Sequence, residues 1–187
     1  VDWGAGSVFR KQEKQLFENF HQNAVHKDLD ETQPLVLHRG WIRPSWIDYN
    51  GHMTESRYLQ VFGDATDALL GYLGLDQEYL DSGFSVFTVE SHIRHLDEGT
   101  PGSNFVVKTQ LLGGDEKRLH IWHELLDQES GSLFATGEHM LLHVDTRAAK
   151  SCTMQSRLLS KSQQLRSLHQ SLKRPEAAGR SINLSTK

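Results

Sequence analysis

The stretch Trp46-Ile-Asp-Tyr-Asn-Gly-His-Met-Thr-Glu-Ser-Arg-Tyr-Leu-Gln60 decides how this chain folds. It follows an apolar run over residues 35–47 and leads directly into a segment with helical periodicity. A helix start leaves backbone N–H groups without acceptors, so these groups can hold the oxyanion that develops at an attacked carbonyl. The stretch therefore indicates an enzyme, and its polar turn contains a carboxylate, a carboxamide, a glycine and an imidazole: Asp48, Asn50, Gly51 and His52.

Hydrophobic periodicity divides the rest of the chain into one long helix and several strands. The helix runs from about Thr54 to Leu73, and Gly74 follows where a C-cap glycine is expected. The order of elements predicts the α+β class, with one curved antiparallel sheet of about five strands around a long central helix. The predicted strands are Leu35–Arg43, Phe84–Leu96, Phe105–Leu111, Arg118–Asp127 and Leu133–Val144, with shorter helices near Asp76–Asp81 and over Met154–Leu172.

Alternation along the strands predicts which side chains share a face of the sheet. The strand Leu133–Val144 is apolar on both faces near its end, which argues against a lone monomer. In the strand Phe84–Leu96 we expect Phe87, Val89 and Ile93 on one face and Glu90, His92 and Arg94 on the other.

The chain is predicted to contain three segments. Residues 1–33 form a helical or linker extension, residues 34–147 form the main domain, and residues 148–187 form a helix and a polar tail. Because the chain begins with Val1 rather than Met, we expect a processed chain or a piece of a longer protein.

Composition limits the classes of partner and compartment. The 187-residue chain has a formal net charge of −4 and a sequence pI near 6.3, so it lacks the basic surface of a nucleic-acid-binding domain. No apolar run is long enough for a membrane span and no signal peptide is visible, so we predict a soluble, cytoplasmic protein. The single cysteine, Cys152, excludes an internal disulfide bond and a cysteine-based zinc cluster.

Several motifs resemble those of hotdog-fold acyl-CoA thioesterases of the 4-hydroxybenzoyl-CoA thioesterase type. The D-x-N-G-H junction of strand and helix is one of them, and its residue pattern D-x-N-x-H is also similar to that of plant acyl-ACP thioesterases. A closer resemblance, over roughly residues 35–180, is to the thioesterase halves fused to bacterial L-carnitine dehydrogenases. Its motifs are Ile42-Arg-Pro-Ser-Trp-Ile-Asp-Tyr-Asn-Gly-His-Met-Thr-Glu55, Gln60-Val-Phe-Gly-Asp-Ala-Thr-Asp-Ala-Leu-Leu70, Thr88-Val-Glu-Ser-His-Ile-Arg-His-Leu96, Asp115-Glu-Lys-Arg-Leu-His120 and Met140-Leu-Leu-His-Val-Asp145.

The resemblance implies a hotdog fold, assembly as a homodimer or homotetramer, and hydrolysis of a short acyl-CoA, with betainyl-CoA as the leading candidate. It implies no cofactor, because coenzyme A is part of the substrate. Residues 1–33 would connect the domain to a dehydrogenase. Two other functions stay open: a hotdog hydratase or dehydratase acting on a CoA ester, and a non-catalytic acyl-CoA-binding module attached to a dehydrogenase.

Asp48 is the main candidate for the catalytic carboxylate, because by resemblance it occupies the position of the catalytic Asp of the 4-hydroxybenzoyl-CoA type. It would attack the thioester carbonyl or deprotonate a water; the alternative is an Asp that only forms the turn. By resemblance to acyl-ACP thioesterases, Asn50 and His52 would orient the carboxylate or the water. Their alternative role is likewise confined to the turn and its packing.

Backbone groups complete the predicted catalytic site. Gly51 would let the backbone approach a ligand closely, and the N–H groups of Met53 and Thr54 would hold the oxyanion. The chain departs from the acyl-ACP pattern at Thr54, where that pattern has an Asn, and it lacks the second Asp of the 4-hydroxybenzoyl pattern. The division of labour within the turn therefore stays open.

Glu90 is a rival for the catalytic carboxylate, because it lies in the middle of a strand on its polar face. The alternative is a sheet-face residue paired with Arg94 or with Arg118 across strands. The sequence does not decide between Asp48 and Glu90.

Substrate-binding residues are predicted from the chemistry of the expected ligand. A betainyl head group is a quaternary ammonium ion, which aromatic rings bind well, so Trp46, Tyr49 and Trp122 are candidates for a cage. The phosphates of CoA would bind Arg94, Lys117 or Arg118. The alternatives are core packing for the aromatic residues and solvated surface charge for the cations.

The eleven histidines do not form a metal motif. His92 and His95, and likewise His120 and His123, are three positions apart, which places the members of each pair on opposite faces of a strand. We therefore predict no metal site.

Overall fold

The computed structural model describes residues 29–184, so most of the predicted extension over residues 1–33 lies outside the described residues. No helix within the described range is long and apolar enough to cross a membrane. The elements are β1 (Leu35–Trp41), a 3-10 turn (Pro44–Trp46), α1 (Glu55–Leu73), α2 (Gln77–Asp81), β2 (Phe84–His95), β3 (Asn104–Gly114), β4 (Arg118–Asp127), β5 (Leu133–Asp145), β6 (Lys150–Ser151) and α3 (Ser156–His169).

The strands form one antiparallel sheet. Their order is β1-β3-β4-β5-β2, and β6 pairs with the end of β5. Short turns join β3 to β4 and β4 to β5, so strands that follow each other in sequence are neighbours in the sheet. The helices α1 and α2 carry the chain from the edge strand β1 to the opposite edge strand β2. This topology confirms the predicted α+β hotdog arrangement of a curved sheet around a long helix.

Helix α1 lies against the inner face of the sheet through one apolar stripe. Burying a large apolar side chain contributes about 1.5–3 kcal/mol, so the stripe supplies much of the free energy that attaches the helix. Gly74 ends the helix in a left-handed backbone conformation with φ of 108°, and its N–H group donates to the carbonyl of Gly71. The buried residues of the helix include Tyr58, Phe62, Ala65, Leu69 and Leu73, whose spacing places them on one face.

A β-bulge at Val89 overturns one prediction about side-chain faces. Phe87 pairs with Leu142 whereas Ile93 pairs with Gly137, and the register shifts between Thr88 and Glu90. Positions 142 and 137 are an odd number of residues apart on a regular strand, so they lie on opposite faces. The prediction that Phe87 and Ile93 share a face is therefore wrong, because the extra residue of a bulge reverses the alternation. The shared face of Glu90, His92 and Arg94 is confirmed by their partners Met140, Glu138 and Thr136.

The segment after α3 crosses the outer face of the sheet, which is the face turned away from α1. The Gln110 side-chain amide donates to the carbonyl oxygen of Lys173 over 3.5 Å. Further along, the Gly179 N–H group donates to both carboxylate oxygens of Glu138 at 2.9 Å. Between these contacts residues 173–177 line a groove with Trp122, which is buried. The polar tail is thus packed on the domain over this part of its length.

Two histidines are buried between α1 and the sheet. The Thr66 hydroxyl donates to the carbonyl of Phe62 at 2.9 Å, so it accepts from Nε2 of His123 at 3.0 Å, and Thr109 donates to Nδ1 at 2.9 Å. Burial holds the pKa of His123 well below its ordinary value. Burial also lowers the pKa of His139, whose ring centroid lies 5.4 Å from that of His123, to about 4. Both rings are therefore neutral parts of the core at neutral pH.

Candidate functional site

The turn from Asp48 to His52 is closed by backbone hydrogen bonds. The Asp48 N–H group donates to the His52 carbonyl at 3.0 Å, and the Gly51 N–H group donates to the Asp48 carbonyl at 3.1 Å. The Asn50 N–H group donates to Oδ1 of Asp48 at 2.8 Å, which makes the segment an Asx turn. Gly51 has a φ of 84°, a left-handed value that glycine adopts without strain. Asp48 thus forms the turn, and its Oδ2 accepts no hydrogen bond from the residues that the structure describes.

The side chain of His52 contacts the carboxylate of Glu98 and not that of Asp48, which it was predicted to orient. Its Nε2 lies 3.0 Å from Oε2 of Glu98, and both side chains are solvent-accessible. The structure therefore does not place His52 where it would orient Asp48. Asn50 does contact Asp48, but through its backbone N–H group and not through its carboxamide.

The predicted oxyanion donors are already used within the chain. The Met53 N–H group donates to the Gly99 carbonyl at 2.9 Å, and the Thr54 N–H group donates to the Trp46 carbonyl at 2.8 Å. These bonds fasten two neighbouring segments to the start of α1, so neither Met53 nor Thr54 has a free N–H group for an oxyanion in this structure, and that role stays a prediction. The next N–H groups in the first helical turn, those of Glu55 and Ser56, are the ones that a helix start leaves without intrahelical acceptors.

Tyr58 lies beside the turn, at the start of the apolar stripe of α1. Its hydroxyl accepts from the Gly99 N–H group at 3.3 Å, and its ring meets that of His95 edge-on at 4.7 Å. Burial raises the pKa of Tyr58. The carboxylates of Asp97, Glu98 and Asp48 act in the same direction, so all three are close enough to act on the phenol electrostatically. In the sequence, the signal for this position beside the turn is an amphipathic side chain on the apolar stripe, near the start of the helix.

Trp46 is a core residue, and its ring has little surface that a ligand could contact. It is 7% exposed and stacks on Phe105, with ring centroids 6.4 Å apart and 26° between the planes. The guanidinium carbons of Arg43 and Arg57 lie 5.4 Å and 6.0 Å from its ring centroid. A quaternary ammonium ion at this ring would therefore meet two like charges, which is a physical reason against Trp46 as part of a cage.

The other two predicted cage residues lie elsewhere. Tyr49 is 96% exposed in the turn. Trp122 is on the outer face, between strand neighbours Ile121 and His123, which face α1. The structure does not bring Trp46, Tyr49 and Trp122 together within one chain, because alternation along β4 turns Trp122 away from the helix.

The three predicted CoA-binding cations also do not converge. Arg94 is opposite Thr136 on β5 and Arg118 is opposite Leu142, so about 20 Å of strand separates Arg94 from Arg118 and its neighbour Lys117. Arg118 is engaged with Asp115 through a contact of 2.6 Å between Nη2 and Oδ2. The hydrogen bond from Arg118 is the main reason why the pKa of Asp115 falls to about 2. A single phosphate site cannot include all three cations of one chain.

Glu90 lies on the outer face, in a groove of about 290 Å³ that also includes His92, His120, Glu138 and the tail at Gly179. Neither Arg94 nor Arg118 forms an ion pair with Glu90 among the described residues, so the structure does not show the pairing that was the alternative role of Glu90. The Asp48 turn adjoins the start of α1 on the inner side of the sheet. The two candidate carboxylates therefore belong to different sites.

The histidine pairs lie as the strand alternation predicted. His92 and His120 line the outer groove, whereas His123 is buried beside α1 and His95 touches Tyr58. Within residues 29–184 no group of three or more His, Cys, Asp or Glu side chains is arranged to hold a metal ion.

Comparison with known proteins places these features in a family. A sequence profile of the thioesterase-like superfamily matches residues 42–162, from the end of β1 into α3. The chain is 49% identical over 158 residues to the L-carnitine dehydrogenase/betainyl-CoA thioesterase of Agrobacterium fabrum, which covers 84% of this chain and 31% of that protein. It is 43% identical over 154 residues to the betainyl-CoA thioesterase of Pseudomonas aeruginosa, which covers 82% of this chain and 97% of that protein.

Solved structures share the fold. A Staphylococcus aureus protein in complex with CoA superposes with a TM-score of 0.76 at 23% identity, covering 82% of this chain and 98% of that one. This likeness concerns the fold alone. The relatives that combine two names are longer, and the chain spans 31% to 36% of the length of those from Agrobacterium fabrum and Rhizobium meliloti.

Proposed function

The chain belongs to the thioesterase-like superfamily, and from this membership we propose that it hydrolyses the thioester of a short acyl-CoA, with betainyl-CoA as its substrate. The observation that carries the proposal is the half-buried carboxylate of Asp48, which accepts the Asn50 N–H group in the turn that leads into α1. A carboxylate at a helix start combines a base with donors for an oxyanion. The relative from Pseudomonas aeruginosa, matched over 97% of its length, supports the choice of acyl group.

Asp48 acts as the general base in the mechanism that we propose. Its Oδ2 takes a proton from water, and the oxygen of that water forms a bond to the thioester carbonyl carbon. The N–H groups of Glu55 and Ser56 stabilise the negative charge on the carbonyl oxygen. The intermediate then collapses, the carbon–sulfur bond breaks, and the CoA thiolate receives the proton from Asp48. The products are CoA and the free carboxylic acid, which releases its remaining proton to solvent and leaves as the anion.

Direct attack by Asp48 on the carbonyl is the competing route, and it passes through a mixed anhydride. A single turnover in water enriched in oxygen-18 tests for an anhydride that is hydrolysed at the Asp48 carboxyl carbon. With the general-base route the label enters the released acid, whereas attack by Asp48 with hydrolysis at its own carboxyl carbon leaves the label on the protein.

We propose that two copies assemble through strand β2. Phe87 and Val89 are 53% and 55% exposed in the middle of this strand, which pairs with β5 on only one side among the described residues. A long apolar strand edge left open favours pairing with another strand. Sedimentation equilibrium should give a homodimer, or a homotetramer built from it. Val89→Lys should shift the mass toward the monomer, and an unchanged mass would place the interface elsewhere.

We also propose that residues 1–33 connect this domain to a dehydrogenase, because the Agrobacterium fabrum relative combines both names in one longer protein. The encoded full-length context tests this. A nicotinamide-binding G-x-G-x-x-G segment upstream would support the connection, and an independent reading frame for this domain would contradict it.

The substrate is tested by measuring free thiol released from betainyl-CoA, acetyl-CoA and butyryl-CoA under the same conditions. We expect the highest kcat/KM for betainyl-CoA. Thiol release from acetyl-CoA or butyryl-CoA alone would support thioester hydrolysis and contradict betainyl-CoA as the substrate. Binding of all three without thiol release would instead favour a non-catalytic module. Addition of water to crotonyl-CoA, an unsaturated ester, without thiol release would favour a hydratase or dehydratase.

A further inference from the structure

Two arginines flank the ring of Trp46 next to the candidate site. The guanidinium carbon of Arg43 is 5.4 Å from the ring centroid and that of Arg57 is 6.0 Å from it. Phe105 stacks on the same indole from the core, whereas Arg43 is exposed and Arg57 is half-buried. The indole therefore supports both cations at the surface.

Neither arginine forms an ion pair with a carboxylate among the described residues. Arg57 donates from Nη1 to the neutral Oε1 of Gln60 at 2.6 Å, and Arg43 makes no ion pair. Arg43 acts electrostatically on the carboxyl group of Asp64, although burial and the charge of Asp67 raise the pKa of that group to about 6. The two guanidinium groups near one ring repel each other, and an anion between them would offset that repulsion.

We propose that Arg43 and Arg57 bind phosphate groups of the coenzyme A portion of the substrate. The planar guanidinium forks match phosphate oxygens in shape and charge. The site adjoins the catalytic turn, because Trp46 is two residues from Asp48 and its carbonyl accepts the Thr54 N–H group at 2.8 Å. The exposed carboxylate of Glu55 in the first helical turn opposes the anion in part.

This assignment rests on the proposed function, and it replaces Arg94, Lys117 and Arg118 as the cations that meet CoA within one chain. It also assigns opposite electrostatic roles to neighbouring parts of the site. The arginines attract the anionic end of the substrate, and the same charges keep a cationic acyl head group away from Trp46.

A comparison of two thioesters tests the proposal. Betainyl-CoA carries the phosphates, and betainyl-pantetheine carries the same thioester without them. We expect the double variant Arg43→Gln/Arg57→Gln to raise KM for betainyl-CoA by about tenfold or more, with kcat nearly unchanged and KM for betainyl-pantetheine unchanged. Lys150→Gln, which removes an exposed cation in β6, is the matched control and should change neither KM. An equal change in KM for both thioesters, or no change, would overturn the proposal.

Direct binding separates this proposal from the proposed reaction. Calorimetry with CoA, 3′-dephospho-CoA and inorganic phosphate should show weaker CoA binding in the double variant. A loss that disappears with 3′-dephospho-CoA assigns the arginines to the 3′-phosphate, and a loss that persists assigns them to the diphosphate. If the double variant binds CoA more weakly but the unmodified protein hydrolyses no thioester, the phosphate site is supported and the proposed reaction is contradicted. If the double variant binds CoA normally and the thioester is hydrolysed, the reaction is supported and the phosphate site is contradicted.

A second variant keeps the test valid if the double glutamine variant unfolds. Arg43→Lys/Arg57→Lys retains the charges and loses the forks, so it should give an intermediate KM for betainyl-CoA. Added salt should raise KM of the unmodified protein for betainyl-CoA and not for betainyl-pantetheine. Equal salt dependence for the two thioesters would contradict a phosphate contact.

Discussion

The Asp48 turn and the groove around Glu90 each present a carboxylate, but their surroundings differ. At Asp48 a backbone N–H group lies 2.8 Å from one carboxylate oxygen, and the first turn of α1 follows within seven residues. In the groove, the hydrogen bonds go to Glu138, which accepts from His120 at 2.6 Å and from Gly179 at 2.9 Å, while Glu90 accepts none from the described residues. This difference in hydrogen-bond donors and in distance along the chain from a helix start is why we propose Asp48, and not Glu90, as the catalytic carboxylate.

The largest expected effect separates the two carboxylates, and removing each of them in turn tests which one supports the reaction. Asp48→Asn keeps the side-chain shape and removes the base, so kcat for thiol release should fall about a thousandfold, within the range that general bases contribute. Glu90→Gln should leave kcat within about twofold, because no donor or helix start accompanies it. Steady-state thiol release measures both. The reverse result would move the reaction to the outer groove.

The fold could be predicted from the sequence because its signals are local. The stripe from Tyr58 to Leu73 and the alternation in β3, β4 and β5 depend on the hydrophobicity of residues a few positions apart. The exception was β2. A bulge adds one residue at Val89, and no periodic pattern marks where it occurs, so the face of Phe87 was predicted wrongly.

The candidate site was predicted only in part. Asp48, Asn50 and Gly51 form a turn whose contacts are between near neighbours, so the motif was sufficient to find it. The Met53 N–H group, in contrast, is occupied by Gly99, which is distant in sequence. The convergence of cations on Trp46 likewise depends on how the 3-10 turn packs against α1, and spacing in the sequence does not report that packing.

The histidines buried between α1 and the sheet make the stability of the fold depend on pH. The unfolded chain takes up a proton at each histidine near pH 6.5, whereas folded His139 stays neutral down to about pH 4. Between these values the unfolded state binds more protons, so stability falls as pH falls from about 6.5 toward 4. His139 alone should remove about 2 kcal/mol of the free energy of unfolding between pH 7 and pH 5, and buried His123 acts in the same direction.

Urea denaturation at several pH values between 7.5 and 5 measures this slope. His139→Gln should make the slope shallower, because the variant has no group to protonate there. His92→Gln, which removes a histidine of the outer groove, is the control and should keep the slope. An unchanged slope in His139→Gln would mean that other groups cause the loss of stability.

The outer face should contribute to stability and not to the reaction. Glu138→Gln weakens the contacts with His120 and Gly179, and because Glu138 is buried we expect a loss of about 1–2 kcal/mol in the free energy of unfolding. Glu176→Gln is the matched control, since its pair with Lys173 is solvent-exposed and should contribute close to nothing. Thiol release should stay unchanged in both variants. A large loss of kcat in Glu138→Gln would give the outer groove a part in catalysis.

The smallest expected effects compare two glycines that have open space around the position of an added Cβ atom. Gly51 has a φ of 84° in the Asp48 turn, so Gly51→Ala should cost about 1 kcal/mol through backbone strain alone. Gly63 lies within α1, where Gly63→Ala should add about 0.5–1 kcal/mol of stability because alanine favours the helix. Thermal unfolding measures both changes. If Gly51→Ala also lowers kcat far more than its loss of stability explains, then the reaction depends on the conformation of the turn and not only on the presence of the Asp48 carboxylate.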